Sequence, residues 1–133
     1  MKRKHIAEIS LVFIFAGVGF TYLIYSEVTY ARHKSPAGIS TIADFFERFD
    51  APAFAREFDL NGQQYVELGG PLPPRWSIAL PSSRPAYVFN ANGEFVDWCS
   101  DPGDNPTWQD QWPIGDAKQI SITEVRTRFN IRT

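Results

Sequence analysis

Residues 86–99 read AYVFNANGEFVDWC, and this stretch decides the fold of the C-terminal part of the chain. Two runs rich in β-branched and aromatic residues, 86–90 and 94–98, flank a turn that contains Asn92 and Gly93. Asparagine and glycine tolerate the positive φ angles that a tight hairpin turn requires. The stretch therefore predicts an antiparallel β-hairpin over residues 86–98.

Helix signals lie on both sides of this hairpin. Upstream, Ser40 or Thr41 is placed to cap a helix that reaches Phe49, with apolar residues at spacings of three, four and seven. Downstream, residues 105–106 (Asn-Pro) are typical of the cap and first residue of a short helix. Residues 121–124 (SITE) have the spacing of a capping box, which predicts a final helix.

Weaker patterns complete the domain. Residues 63–68 alternate in the manner of a strand, residues 118–120 are expected to pair as another, and residues 53–58 fit either a short turn or a strand. The proline-rich residues 71–74 predict a loop. Helices around an antiparallel sheet make residues 35–133 an α+β domain, preceded by a polar linker over residues 32–38.

An uncharged apolar run precedes the domain at residues 9–26, ISLVFIFAGVGFTYLIYS. As a helix it is about 27 Å long at roughly 1.5 Å per residue, close to the hydrocarbon thickness of a bilayer. Its apolar residues occupy every side, unlike a soluble amphipathic helix. Residues 1–34 are therefore predicted to form a basic tip, a transmembrane helix and the start of the linker. The residues expected in the membrane are Leu11, Phe13, Phe15, Gly17, Gly19, Tyr22 and Tyr25.

Basic residues indicate the orientation of this helix. Lys2, Arg3 and Lys4 precede the apolar run, whereas Arg32 and Lys34 follow it. Because cytoplasmic flanks carry the excess of positive charge, the N-terminus is predicted to be cytoplasmic. The chain is then an inner (cytoplasmic) membrane protein whose C-terminal domain is periplasmic or extracellular.

A cleaved secretory signal is the competing interpretation of the same segment. Thr29 and Ala31 would then be the small residues at the cleavage site. The apolar run is long for a signal peptide and keeps bulky aromatic residues to its end, which favours a retained anchor. Both interpretations export residues 35–133.

The exported domain is acidic, with eight lysines and arginines against thirteen aspartates and glutamates in residues 35–133. Between Arg84 and Lys118 there is no basic residue, and this charge is unsuited to nucleic acid. Tryptophans lie among the carboxylates there, and aromatic anchors rimmed by negative charge suit a basic protein partner. The predicted partner-binding residues are Trp98, Asp101, Asp104, Trp108 and Trp112.

Two other interpretations of this acidic segment stay open. Asp101, Asp104 and Asn105 can form turns and caps while the tryptophans cover the core. Calcium is the weaker alternative, because the spacing is not that of an EF-hand loop. We predict no metal and no cofactor.

Catalytic residue types are sparse. The two histidines, His5 and His33, both precede the domain, so a serine or cysteine nucleophile has no histidine base there. Cys99 lies between Asp97 and Asp101 and lacks the nearby cation that stabilises a reactive thiolate. A hydrolase that uses a carboxylate pair is a third option, without a distinguishing signal. We therefore predict no enzyme, no catalytic residue and no small-molecule substrate.

The sequence predicts a non-enzymatic, single-pass accessory subunit or binding module of a larger membrane or envelope complex, anchored in the lipid bilayer. The alternative is an exported inhibitor or immunity-type protein that binds a basic enzyme through its acidic, tryptophan-rich segment. The first needs the anchor for its affinity, whereas the second binds without it.

Overall fold

A computed structural model describes residues 2–72, 84–112 and 114–132, with side chains from residue 6 onward. The N-terminal segment is one continuous helix, α1 (Lys2–Lys34). No proline precedes Pro36, so nothing interrupts the helix where the apolar run ends. The linker that was predicted from residue 32 therefore begins at Ser35, because residues 32–34 are still helical.

Five strands form one open antiparallel sheet. They are β1 (Ala55–Leu60), β2 (Gln63–Gly69), β3 (Ala86–Asn90), β4 (Phe95–Cys99) and β5 (Lys118–Ile120). Their spatial order is β4-β3-β2-β1-β5, which makes β2 the central strand. The undecided segment 53–58 supplies most of β1, and the expected strand at 118–120 is β5. Together with the helices this confirms the α+β class.

The predicted hairpin is confirmed as β3 and β4, with the second strand ending one residue later, at Cys99. Gly93 adopts a φ of 79°, in the region that glycine enters without steric cost. The side-chain oxygen of Asn90 accepts hydrogen bonds from the backbone N–H groups of Asn92 (3.0 Å) and Glu94 (2.9 Å). The turn is thus held by the asparagine that ends β3.

One face of the sheet, called face A, carries Val66 and Leu68 of the central strand. Helices α2 (Ile42–Phe49) and α4 (Ile122–Arg128) add residues to the hydrophobic cluster on this face. Phe45 is fully buried there, with its ring 4.8–6.1 Å from those of four other aromatic residues. The buried residues of the cluster are Ile39, Ile42, Phe45, Phe46, Ala55, Val66, Leu68, Tyr87, Phe89, Ile120 and Val125.

Side-chain caps fix the starts of these two helices. Thr41, not Ser40, caps α2: its hydroxyl accepts from the Asp44 N–H at 3.3 Å, and the Asp44 carboxylate accepts from the Thr41 N–H at 2.9 Å. The hydroxyl of Ser121 accepts from the Glu124 N–H at 3.0 Å and caps α4. Each cap uses backbone donors that a helix start otherwise leaves without partners.

The opposite face, called face B, carries Phe58, Ala86, Val88 and Cys99. It is covered by the short helix α3 (Pro106–Gln111), which begins at the predicted Asn105 cap and brings Trp108 and Trp112 onto the sheet. Both faces of the central strand are therefore covered.

The linker is bound to the domain and is not a free tether. The Arg48 guanidinium donates to the carbonyl oxygens of Ser35 (2.5 Å) and Ala37. The Tyr87 hydroxyl donates to the carbonyl oxygen of Lys34, and the Lys34 ammonium donates to the Ser100 hydroxyl at 2.7 Å. These bonds hold residues 34–37 against the domain. The predicted loop at residues 71–74 lies partly outside the described residues.

Candidate functional site

The apolar side chains of α1 are exposed over residues 6–22. Those of Leu11, Val12, Phe13, Ile14 and Phe15 are each more than half accessible. Over Ile6–Lys34 the helix is long and apolar enough to cross a membrane, a test that a signal sequence also passes. The segment is therefore weakly compatible with a membrane anchor, and of the predicted membrane residues Phe13 is the most exposed, at 73%.

The glycines of this helix do not contact other described parts of the chain. A Cβ built on Gly17 or Gly19 meets no described atom within 4 Å. Thr21, one turn after Gly17, donates its hydroxyl hydrogen back to the Gly17 carbonyl at 2.8 Å and so adds no outward donor. The helix surface around Gly17 is mostly apolar and forms a hollow of about 560 Å³ between side chains that include Phe13 and Tyr22.

The five predicted partner-binding residues divide into two groups. Trp108 and Trp112 are each only 5% exposed and pack in the face B cluster. The Trp112 indole N–H donates to the Asp97 carboxylate at 2.8 Å, and the other oxygen of that carboxylate accepts from the Trp98 backbone N–H at 2.8 Å. These two indoles pack in the core, as the competing interpretation of the segment had it.

The remaining three, Trp98, Asp101 and Asp104, line one surface hollow of about 530 Å³, together with Ser100 and Asn105. Asp104 is exposed, whereas Trp98 and Asp101 are partly buried. The hollow thus combines part of an indole with two carboxylates. This is the part of the predicted contact surface that stays accessible.

Turn formation accounts for other polar groups of the segment. The Asn105 side chain accepts from the Trp108 N–H at 3.1 Å and caps α3, while the Asp101 carbonyl accepts from the Asp104 N–H at 3.2 Å. Cys99 is a buried free cysteine whose sulfur accepts from the Asn105 side-chain amide at 3.5 Å. Its thiol therefore packs as a small core residue.

A buried ion pair that was not predicted from the sequence lies on face B. Glu67, on the central strand, has no exposed surface, and its Oε1 accepts from Nη2 of Arg56 on β1 at 2.9 Å. Glu67 Oε2 and Arg56 Nε are buried and have no hydrogen-bond partner in the described structure. A buried polar atom left without a partner costs about 1–3 kcal/mol, and more when it is charged. The Arg56 guanidinium also stacks 4.5 Å from the centroid of the Phe54 ring.

Glu57, the residue after Arg56 on β1, is a carboxylate of the same sheet that has a cation near each of its oxygens. Its Oε2 lies 2.8 Å from Nη1 of Arg128, and its Oε1 lies 3.8 Å from the Lys118 ammonium. Both oxygens of Glu57 thus face a cation, whereas Glu67 uses only one oxygen. Glu67 therefore differs from Glu57 in having a buried carboxylate oxygen without a hydrogen-bond partner in the described structure.

A pocket of about 420 Å³ opens over this pair. Trp108, whose indole N–H is also buried without a hydrogen-bond partner among the described residues, belongs to its wall. Gln109 holds the rim, because its amide donates to the carbonyl oxygens of Pro102 (3.0 Å) and Gly103 (2.9 Å). The lining residues are Arg56, Glu67, Pro102, Gly103, Trp108, Gln109, Trp112, Ile114 and Gly115.

Burial dominates the electrostatics of this pocket. It raises the pKa of Glu67 above the ordinary value of 4.5, and the Arg56 guanidinium opposes the shift without cancelling it. The only sequence signal for the pair is the alternation at 63–68, which places Glu67 opposite Val66 and Leu68. That alternation is equally typical of a solvated face.

Comparison with known proteins identifies no relative: the chain matches no protein-family model, no curated protein and no solved structure. Among the described residues, no three histidine, cysteine, aspartate or glutamate side chains come together to hold a metal ion. The site therefore has to be interpreted from its own residues.

We expect the Glu67 carboxyl to make stability fall as pH rises. Because its pKa is raised in the folded state, the unfolded chain loses this proton first, and the stabilisation present below pH 4.5 is lost as pH rises through the folded-state pKa. The free energy of unfolding of the wild type minus that of Glu67→Gln should therefore decrease as pH rises from 4.5. Denaturant titrations of the full chain in detergent micelles measure it.

Asp44 serves as a control, because its carboxyl group should change the stability with pH in the opposite direction. Its carboxylate accepts from the backbone N–H groups of Ser40 and Thr41, both at 2.9 Å, which lowers its pKa from 3.8. Relative to Asp44→Asn, the wild type should lose stability as pH falls below 3.8. A Glu67 difference that rises with pH, or does not change, would contradict the assigned environment.

Trp112 and Asp104 test the division of the acidic segment into core and surface. Trp112→Ala should lower the free energy of unfolding by about 3–5 kcal/mol, because it empties a buried site and leaves Asp97 without its indole donor. Asp104→Asn should change it by no more than about 0.5 kcal/mol. Urea unfolding of both variants in micelles checks this, and equal small effects would place Trp112 at the surface.

Proposed function

We propose that this chain is a non-enzymatic accessory subunit or binding module, held in the membrane by α1 and presenting its acidic domain to a larger envelope complex. The observation that supports this most is the exposed apolar surface of α1. Each leucine, isoleucine or phenylalanine left in water forgoes about 1.5–3 kcal/mol of burial free energy. A helix with such side chains on all sides needs lipid or other apolar helices around it.

The proposed orientation has the N-terminus in the cytoplasm and residues 35–133 on the periplasmic or extracellular side of the inner membrane. It rests on the basic residues Lys2, Arg3 and Lys4 before the apolar run. Only two lysines or arginines, Arg32 and Lys34, follow the run within α1, so the excess of positive charge lies at the N-terminal tip.

The proposed contact surface is the hollow at Trp98, Asp101 and Asp104. A partly buried indole beside two carboxylates suits a basic protein surface, since opposite charge speeds association and the ring provides apolar contact. Catalysis has less support, because the domain contains no histidine and the carboxylates of Glu57 and Asp97 are engaged by neighbouring side chains.

Charges introduced into α1 should release the chain from membranes. In the variant Phe13→Arg/Phe15→Arg, each arginine at the centre of a spanning helix raises the free energy of membrane insertion by about 2.5–3.5 kcal/mol. The variant should therefore leave the carbonate-washed membrane fraction, whereas the wild type stays as an intact chain by mass spectrometry. Val96→Arg, on the exposed edge strand, is the control and should remain membrane-bound. A wild-type chain that begins beyond residue 31 and is soluble would overturn the anchor.

Partner binding should depend on the two carboxylates of the hollow. Asp101→Asn with Asp104→Asn keeps the turn-forming oxygens but removes the charge, and should weaken co-purification with a basic protein from detergent-solubilised membranes by about tenfold, the equivalent of about 1.4 kcal/mol. Asp110→Asn, on the exposed side of α3, is the matched control and should have no effect. Recovery of this chain alone from native membranes would count against an accessory subunit. A salt-sensitive complex that persists in the anchor variant would favour the inhibitor alternative.

A further inference from the structure

The pocket over Glu67 presents hydrogen-bonding groups of both kinds. Glu67 Oε2 is an acceptor, while Arg56 Nε and the Trp108 indole nitrogen are donors, and all three are buried without a partner in the part of the chain that the structure describes. All three residues line the same pocket. Buried polar groups are nearly always satisfied in native proteins, so this combination indicates a bound group that the chain itself does not supply.

The charges of Arg56 and Glu67 limit which ligands the pocket can bind. Glu67 and Arg56 form a 2.9 Å ion pair, so an ionised pair has no net charge. A cationic ligand would approach the Arg56 guanidinium, and an anionic ligand would approach the Glu67 carboxylate. The complementary ligand is therefore neutral and carries an N–H donor and an oxygen acceptor close together.

Aromatic rings form part of the pocket wall. The indoles of Trp108 and Trp112 line it, with ring centroids 6.0 Å apart and ring planes tilted by 50° to each other. The volume of about 420 Å³ falls within the range of small-ligand pockets, and the two bonds from Gln109 hold one rim in place. The Arg56 side chain is 34% exposed, so this wall residue is accessible from solvent.

We propose that this pocket binds a carboxamide, which donates to Glu67 Oε2 and accepts from Arg56 Nε or the Trp108 indole. The inference rests on the proposed function in taking the carboxamide to be part of a binding partner, as an asparagine or glutamine side chain. A free small amide has the same chemistry, and the test below separates the two sources.

The test follows the Trp108 indole N–H resonance of the ¹⁵N-labelled full chain in detergent micelles, assigned with Trp108→Phe. Propionamide should shift this resonance saturably, with a dissociation constant on the order of a millimolar for so small a ligand. Propionate and propylammonium should bind at least about tenfold more weakly. A capped Ala-Gln-Ala peptide that binds more tightly than propionamide assigns the source to a protein side chain, and the reverse order assigns it to a small amide.

Glu67→Gln should reverse this preference. In the variant, Arg56 needs the oxygen of the new side-chain amide, so the NH₂ group of that amide points to the pocket and only donors remain there, beside an unpaired positive charge. Propionate should then bind at least about tenfold more tightly than propionamide. Glu57→Gln, in the neighbouring ion pair on face A, is the matched control and should keep the wild-type preference.

The results distinguish this inference from the proposed function. Absence of a propionamide shift would mean that water satisfies the three groups, and would overturn the inference. An unchanged preference in a Glu67→Gln variant with wild-type spectral dispersion would do the same. Neither result depends on membrane retention or on the hollow at Asp101 and Asp104, which are measured separately.

Discussion

The central strand β2 must bury both of its faces, and the rest of the domain follows from this constraint. Val66 and Leu68 point to face A, where α2 and α4 cover them. Successive residues of a strand point to opposite faces, so Glu67 between them must point to face B. There α3 packs over the sheet, and the glutamate has no exposed surface. The Arg56–Glu67 pair and the pocket above it are consequences of this register.

Several polar and aromatic side chains of the acidic segment make contacts within the domain. A six-residue helix covers face B mainly with two indoles, and one of them is fixed by its bond to Asp97. Asn105 caps the same helix. Several polar groups of the segment therefore form turns and helix caps, although the composition of the segment had predicted a binding surface. What remains accessible is the hollow at Trp98, Asp101 and Asp104, which is smaller and more polar than the segment as a whole.

The chain meets two separate hydrophobic requirements. The domain fills both of its cores, and the described part of its linker is tied down by Arg48 and Tyr87. The α1 side chains from Leu11 to Phe15 are exposed. The proposed membrane tether and the proposed carboxamide pocket thus rest on different residues.

The sequence by itself determined the hairpin, the caps at Asn105 and Ser121, and the α+β class, and it limited the cap of α2 to Ser40 or Thr41. These features depend on neighbours within a few residues, whose chemistry can be read directly from the chain. Only the tertiary structure decided that Trp108 and Trp112 face inward and that Arg56 meets Glu67. Those contacts depend on the register of two strands and on which face a short helix covers. The local sequence pattern is equally compatible with an exposed and a buried side chain, and only hydrophobic packing selects between the two.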